Sequence, residues 1–213
     1  MALLDIIRKK MRILKLERML EEKEPDARRL HEIVDAIIAE ARCDEAAGVR
    51  KDKVLFAFES AFEQISDRIA VLRENGETEA YRDIYAKLFT FADEMMADSY
   101  MPMYLFIMYR YANALLETGE AAAASQMFEK LCAGTDRLIG IRNTYGIHCL
   151  ERAAVAAVAS GQPEKALKAL DDMNEISVGE FGENSAVNMA VQRFSGRVKK
   201  DIAQCSSSQP ALS

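Results

Sequence analysis

Proline is scarce in this 213-residue chain, histidine is scarcer, and no stretch alternates apolar and polar residues over a β-branched run bounded by hairpin turns. The last absence removes the signature of a sheet. The four prolines, Pro25, Pro102, Pro163 and Pro210, all stand where a helix can begin or end, so none interrupts a helical pattern. No window approaches the roughly 18 consecutive apolar residues of a membrane span. The opening "MALLDIIRKKMRIL" breaks its apolar residues with Asp5, Arg8, Lys9 and Lys10, so no secretory signal is expected. Cys43, Cys132, Cys149 and Cys205 have no C-x-x-C spacing. Free, mostly buried thiols in a reducing cytoplasm are the expectation.

Chemistry is as thinly represented. His31 and His148 are the only histidines. His148 adjoins Cys149, and adjacent residues on a helix point about 100° apart, which does not suit a pair of ligands. A zinc site needs three or four ligands at recognisable spacing, so no metal is expected. No H-E-x-x-H, G-x-S-x-G or Walker-type segment occurs. "GEFG" is the nearest approach to a glycine-rich loop, and its own Glu180 and the adjacent Glu183 would repel phosphate. Scattered acids suit solvated helix faces better than an acid–base pair. No catalytic residue and no cofactor are expected, and the chain is not expected to be an enzyme. Its net charge of −6 also argues against nucleic acid as a partner.

What remains is Ala, Leu, Glu, Lys, Arg and Met, all good helix formers. The pattern predicts an all-α protein with helices near 3–22, 26–46, 51–74, 77–97, 102–117, 120–133, 143–159, 163–177 and 184–204. "SSSQPALS" at the end is expected to be a flexible tail over 206–213.

The helices carry a repeat. Gly76, Gly119 and Gly161, in "NGE", "TGE" and "SGQ", are 43 and 42 residues apart, and Gly140 and Gly182 repeat at 42. Each of the first three supplies the positive φ of a tight turn between helices. Ala112 and Ala154 lie seven residues before their glycines, and Ala124 and Ala166 five after. Phe128 and Leu170 lie nine after, with Tyr85 in the equivalent place of the first unit. Small residues let two helices approach, and large ones fill the next layer. One hairpin cannot bury its apolar face, so such units stack. The alternative is a non-repeating bundle with evenly placed glycines.

"ANALLETGEAAAASQMF" (Ala112–Phe128) and "AAVAAVASGQPEKALKAL" (Ala153–Leu170) resemble the tetratricopeptide repeat. Ala112 and Ala154 match that family's small eighth position, Ala124 and Ala166 its later alanine, and Phe128 its aromatic. The period is longer than the usual 34 residues. It is similar to the longer repeat of kinesin light chains and of bacterial peptide-receptor regulators, and "GEFGENSAVNMA" (Gly179–Ala190) looks like the linker of that type. The resemblance implies antiparallel helical hairpins stacked as a short right-handed solenoid, in one domain over 1–205. Residues 1–50 would form an N-terminal hairpin, and 51–204 the tetratricopeptide-like units and their closing helix.

The same resemblance implies a concave groove lined by the first helix of each unit. The groove positions are Phe106, Tyr109, Asn113 and Leu116, then His148, Glu151, Val155 and Val158, then Ala190, Arg193, Arg197 and Lys200 in the closing helix. A peptide or partner helix would use the aromatic pair for area and the cations for a carboxylate. Asn113 matches an asparagine of the modules that clamp chaperone C-termini, but Tyr109 stands in place of a lysine, which argues against that clamp. The implied function is a non-enzymatic protein or peptide interaction scaffold. The alternative is a ligand-sensing regulator, with a cavity among Tyr100, Met101, Met103, Tyr104, Phe106, Met108, Tyr109 and Tyr111; these residues equally suit a core.

The first helix is basic, with Arg8, Lys9, Lys10, Arg12, Lys15 and Arg18 against Asp5 and Glu17. Leu3, Ile7, Met11 and Leu14 make one apolar stripe, and Ile6, Ile13, Leu16 and Leu20 another on nearly the opposite side. A membrane-surface helix has one apolar face. Two faces suit a helix packed between neighbours, or one packed inward that also serves a homodimer, and no membrane contact is expected.

Overall fold

The computed structural model describes residues 2–22, 26–97 and 102–207. Tyr100, Met101, Pro25, Pro210 and the end of the predicted tail lie outside them, as do the side chains of Leu3 and Ile6. The described residues form helices joined by short turns, without a strand. The helices group in two compact units, one within 1–97 and the other within 98–213.

The first unit holds α1 (Ala2–Leu20), α2 (Ala27–Ala46), α3 (Lys51–Glu74) and α4 (Thr78–Met96). Thus α3 and α4 group with α1 and α2. Leu30, Ile33, Phe58, Phe62, Ile65, Tyr81 and Leu88 are buried between the helices. Phe58 and Phe91 meet with ring centroids 4.6 Å apart. Only the second apolar stripe of α1 turns toward this core: Leu20 is buried and Leu16 half-buried, with Ile13 at the margin. Lys9 pairs with Asp44, and Arg12 with Glu40 at 2.7 Å, which fixes the roll of α1 on α2.

The second unit holds α5 (Pro102–Glu117), α6 (Ala121–Ile139), α7 (Thr144–Ala159), α8 (Pro163–Phe181) and α9 (Ala186–Ser207). Each helix packs on the next in the chain, and α9 also touches α7. The repeat positions behave as their spacing predicts. Ala112, Ala154, Ala124, Ala166 and Phe128 are completely buried, and Leu170 nearly so. In the first unit Ile69 and Tyr81 occupy the places of the two alanines, also buried; the layer is kept, with larger side chains.

Gly76, Gly119 and Gly161 have φ of 82°, 85° and 70°. After each, the next N–H donates 2.8 Å to a carbonyl five residues back, Glu77 to Leu72, Glu120 to Leu115 and Gln162 to Ala157. This closes the helix ends identically. Gly48 makes the same turn, with Val49 donating to Asp44, although its spacing hides it from the repeat.

Two helices run past their expected ends. α6 continues from 133 to Ile139 and α8 from 177 to Phe181. Gly134 and Gly179 resemble stops but lie inside these helices. Gly134 is buried beside Thr135, so tertiary packing outweighs its poor helix propensity. The actual stops are Gly140 and Gly182, with φ of 73° and 86°. α9 begins two residues later than expected and reaches Ser207.

Candidate interaction surface

The implied groove residues fall on α5, α7 and α9. On α5, Phe106 is exposed with the Arg110 guanidinium 5.0 Å from its ring centroid, a cation–π contact. Tyr109, three residues on, is half-buried. Its hydroxyl lies 2.6 Å from His148 Nε2 on α7, its ring 5.5 Å from the imidazole, and it meets Phe128 edge-on at 6.3 Å. Tyr109 therefore ties α5, α6 and α7 together while keeping an edge in solvent. His148 Nδ1 stands 3.4 Å from Glu151 Oε2 one helical turn away.

His148 and Glu151 form one side of a cavity of about 350 Å³ between α7 and α9. Its other side is Ala190, Phe194 and Arg197, with Ile147 and Val191 in the floor. Four of the implied groove residues, His148, Glu151, Ala190 and Arg197, are thus brought to one place. Arg193 and Lys200 are exposed on the same helix as Arg197, at intervals of three and four residues that put all three on one side. None of the ion pairs among the described residues uses Arg193, Arg197, Lys199 or Lys200. In an acidic chain, a row of cations left to solvent is notable chemistry.

Other expected positions are less available. Asn113 is 7% exposed, and its Nδ2 donates 2.8 Å to the Tyr109 carbonyl; its side chain is spent on its own helix. Leu116, Val155 and Val158 are half-buried, and Val158 packs against the core. Met103, Tyr104 and Met108 of the aromatic and methionine cluster are buried core side chains.

A second cavity, about 460 Å³, lies between α6 and α8. Its floor is Leu150, Ala153 and Ala157 of α7, and Cys132 and Ala169 stand in its walls. Lys165 bridges to Glu129 across it at 2.7 Å. Burial, reinforced by the neighbouring Cys149, pushes the Cys132 thiol up to about 12; burial likewise lifts the Cys149 thiol to about 11. Both thiols are protonated and weakly reactive at neutral pH. Ala153 and Ala157 are small residues one turn apart that leave this hollow unfilled.

No family model matches the chain, and no curated protein does. Solved structures do. A crystal structure of kinesin light chain nearly identical TPR-like repeats from Podosopora anserina shares 15% identity at a TM-score of 0.63, covering 92% of this chain and 88% of its own. A point variant of that same protein matches equally, with 87% of its own chain covered. The fold is that of TPR-like repeats. BtubC (BKLC) from P. vanneervenii matches at 13% identity and a TM-score of 0.49, covering 96% of this chain and 95% of its own. α5 and α6, then α7 and α8, form successive hairpins, with Tyr109 on α5 and His148 on α7, and α9 follows them. No described helix is long and apolar enough to cross a membrane.

Proposed function

We propose that this chain is a cytoplasmic interaction module without catalytic activity of its own, and that its second unit takes an extended peptide or a partner's helix along α5, α7 and α9. The carrying observation is the cavity between α7 and α9, where apolar Ile147, Val191 and Phe194 lie beside the unpaired cation Arg197. An apolar side chain of the partner fills the cavity, and a neighbouring carboxylate receives the Arg197 guanidinium. Phe106 and Tyr109 extend the contact along α5. The TPR-like fold supports a binding role in general.

Panning a random peptide library against the wild-type protein and against Arg197→Glu tests this. Wild type is expected to enrich peptides with Asp or Glu beside a large apolar residue. The variant is expected to bind those peptides at least about tenfold more weakly, as loss and reversal of a charged hydrogen bond implies, with unchanged circular dichroism. The same peptides recovered equally by both proteins would remove Arg197 from the site.

The 460 Å³ cavity between α6 and α8 favours a second function, sensing of a small amphipathic ligand. The volume lies in the range of ligand pockets. The site differs from the 104–111 cluster proposed on sequence grounds, in which Tyr104 and Met108 are buried, Tyr109 and Tyr111 half-buried and Phe106 exposed. A thermal-shift screen of small amphipathic carboxylates is expected to raise Tm by mass action, and Ala153→Leu, which fills the floor, is expected to abolish the shift. A shift that survives Ala153→Leu would place the ligand elsewhere.

A further inference from the structure

We propose that the outward face of α9 takes an amphipathic helix of another protein, seated as α6 sits on α5 and α8 on α7. This surface is separate from the groove of His148 and Arg197. Its place follows from the 42-residue spacing of the repeat. Ile147, Leu150 and Ala154 of α7 share one apolar cluster with Ala169, Leu170 and Met173 of α8, and Ala157 completes that face, nearly fully buried. The equivalent residues of α5, Leu105, Met108, Ala112 and Leu115, are buried as well. Their counterparts on α9 are Met189, Gln192, Gly196 and Lys199, and all four are exposed. A Cβ added at Gly196 meets nothing within 4 Å. The neighbouring edge of α8 is uncovered too: Ser125 of α6 is buried, whereas its counterpart Leu167 is 37% exposed. The place of the turn glycines Gly119 and Gly161 holds Ala203, and α9 runs straight through it to Ser207. α9 thus has the position of a hairpin's first helix, and the face that a second helix covers in the other hairpins is open.

Charge and size define the occupant. Lys165 of α8 bridges to Glu129 of α6 at 2.7 Å. Asp171 stands on α8 at the place of Glu129, exposed and without an ion pair among the described residues. An incoming helix with Lys or Arg at the place of Lys165 repeats that bridge. Its next residue is small, like Ala166, because it crosses Gly196. The fourth residue after that is large and apolar, as Phe128 follows Ala124 and Leu170 follows Ala166. The Gln162 N–H donates to the Ala157 carbonyl, so α8 begins beside Ala157, and the incoming helix begins beside Lys199. Acids in its first turn then face a cation, and its own dipole favours them there. A second copy does not meet this description. α9 set against α9 gathers Arg193, Lys199 and Lys200 of both molecules, while Asp201, the one acid of this helix, lies on its far side. A membrane-surface helix needs a continuous apolar face, and Met189 is the one large apolar residue among the four.

The test is a display library of helical peptides built on segment 160–182 of this chain and randomised at the places of Glu164, Lys165, Ala166, Lys168 and Leu170. Panned on the full wild-type chain, it is expected to enrich an acid at the first place, Lys or Arg at the second, Ala, Gly or Ser at the third and Leu or Phe at the last. Fluorescence anisotropy then compares variants for the leading peptide. Gly196→Leu and Asp171→Lys are each expected to bind it at least about tenfold more weakly, through a blocked approach and a reversed charge, with unchanged circular dichroism. Gly196→Ala is expected to bind as wild type does, because alanine fills this place in α5 and α7. Exchanging the peptide's cation for Glu is expected to restore binding to Asp171→Lys. Arg197→Glu, on the groove side, is expected to leave this binding intact, so a failure of the groove and a failure here are told apart. A library without enrichment, selected peptides that lack the small residue, or equal binding to wild type and Gly196→Leu would overturn the proposal. Wild-type self-association abolished by Gly196→Leu would also overturn it and assign the face to a second copy. Co-sedimentation with phosphatidylglycerol vesicles that Lys199→Glu abolishes, with no peptide enriched, would overturn it in favour of lipid.

Discussion

Gly146→Ala is expected to destabilise the second unit by about 3 kcal/mol or more, near the upper end of overpacking costs, and urea unfolding followed by circular dichroism measures it. The residue lies in the first turn of α7 and is buried. A Cβ placed there would stand 1.9 Å from the Ile141 carbonyl oxygen and 2.7 Å from its carbon. These are backbone atoms, with no flexible end to swing away. Relief requires the 140–143 turn to move from the start of α7. That movement breaks the cap in which Asn143 Oδ1 accepts the Gly146 N–H at 2.9 Å and Asn143 Nδ2 donates to the Gly140 carbonyl, adding roughly 1 kcal/mol. Gly196→Ala is the control. An added Cβ meets nothing there within 4 Å, inside helix α9, so that substitution is expected to stabilise by roughly 0.5–1 kcal/mol through helix propensity. Equal effects at the two glycines would refute the clash.

Phe128→Ala should cost roughly 3–5 kcal/mol, the usual range for emptying a buried aromatic site. Phe128 is completely buried, in α6 against Tyr109 of α5. Its loss reaches the surface as well, because Phe128 backs the Tyr109 ring edge-on, and Tyr109 holds His148 through its hydroxyl. Phe128→Ala is therefore expected to lower both the unfolding midpoint and the affinity for peptides selected on the wild type. Phe128→Leu, closer in volume, is expected to recover most of each. A Phe128→Ala protein with wild-type stability would mean that the site collapses around the void.

The sequence made the hairpins legible because their requirements are local. A positive φ demands glycine at 76, 119 and 161, and close helix contact demands a small residue at 112 and 154. Each requirement marks a single position, so the period survives in the letters. Other features depend on residues that meet only after folding. Gly134 and Gly179 look like helix ends, yet the one is buried and the other leaves room for the Arg142 guanidinium, which pairs with Glu175 and Glu180. Gly146 carries no mark in its neighbours, since its constraint is the Ile141 backbone. The surface was readable to the same extent. Helical spacing brings His148, Glu151 and Arg197 to one cavity, but whether a polar side chain faces solvent or its own helix depends on rotamers, and Asn113 turns back. The α6–α8 cavity arises from what Ala153 and Ala157 fail to fill.

The packing of each helix in the second unit on its successor in the chain has a mechanical consequence. Within the second unit α9 packs on α8 and, more sparsely, on α7, so tension applied at its far end loads those seams first. Once α9 lifts away, α8 becomes the exposed end, and the load passes inward. The unit yields in helix-sized steps along the chain, and when released it can reseat them in reverse order, since each seam lies between elements close in sequence.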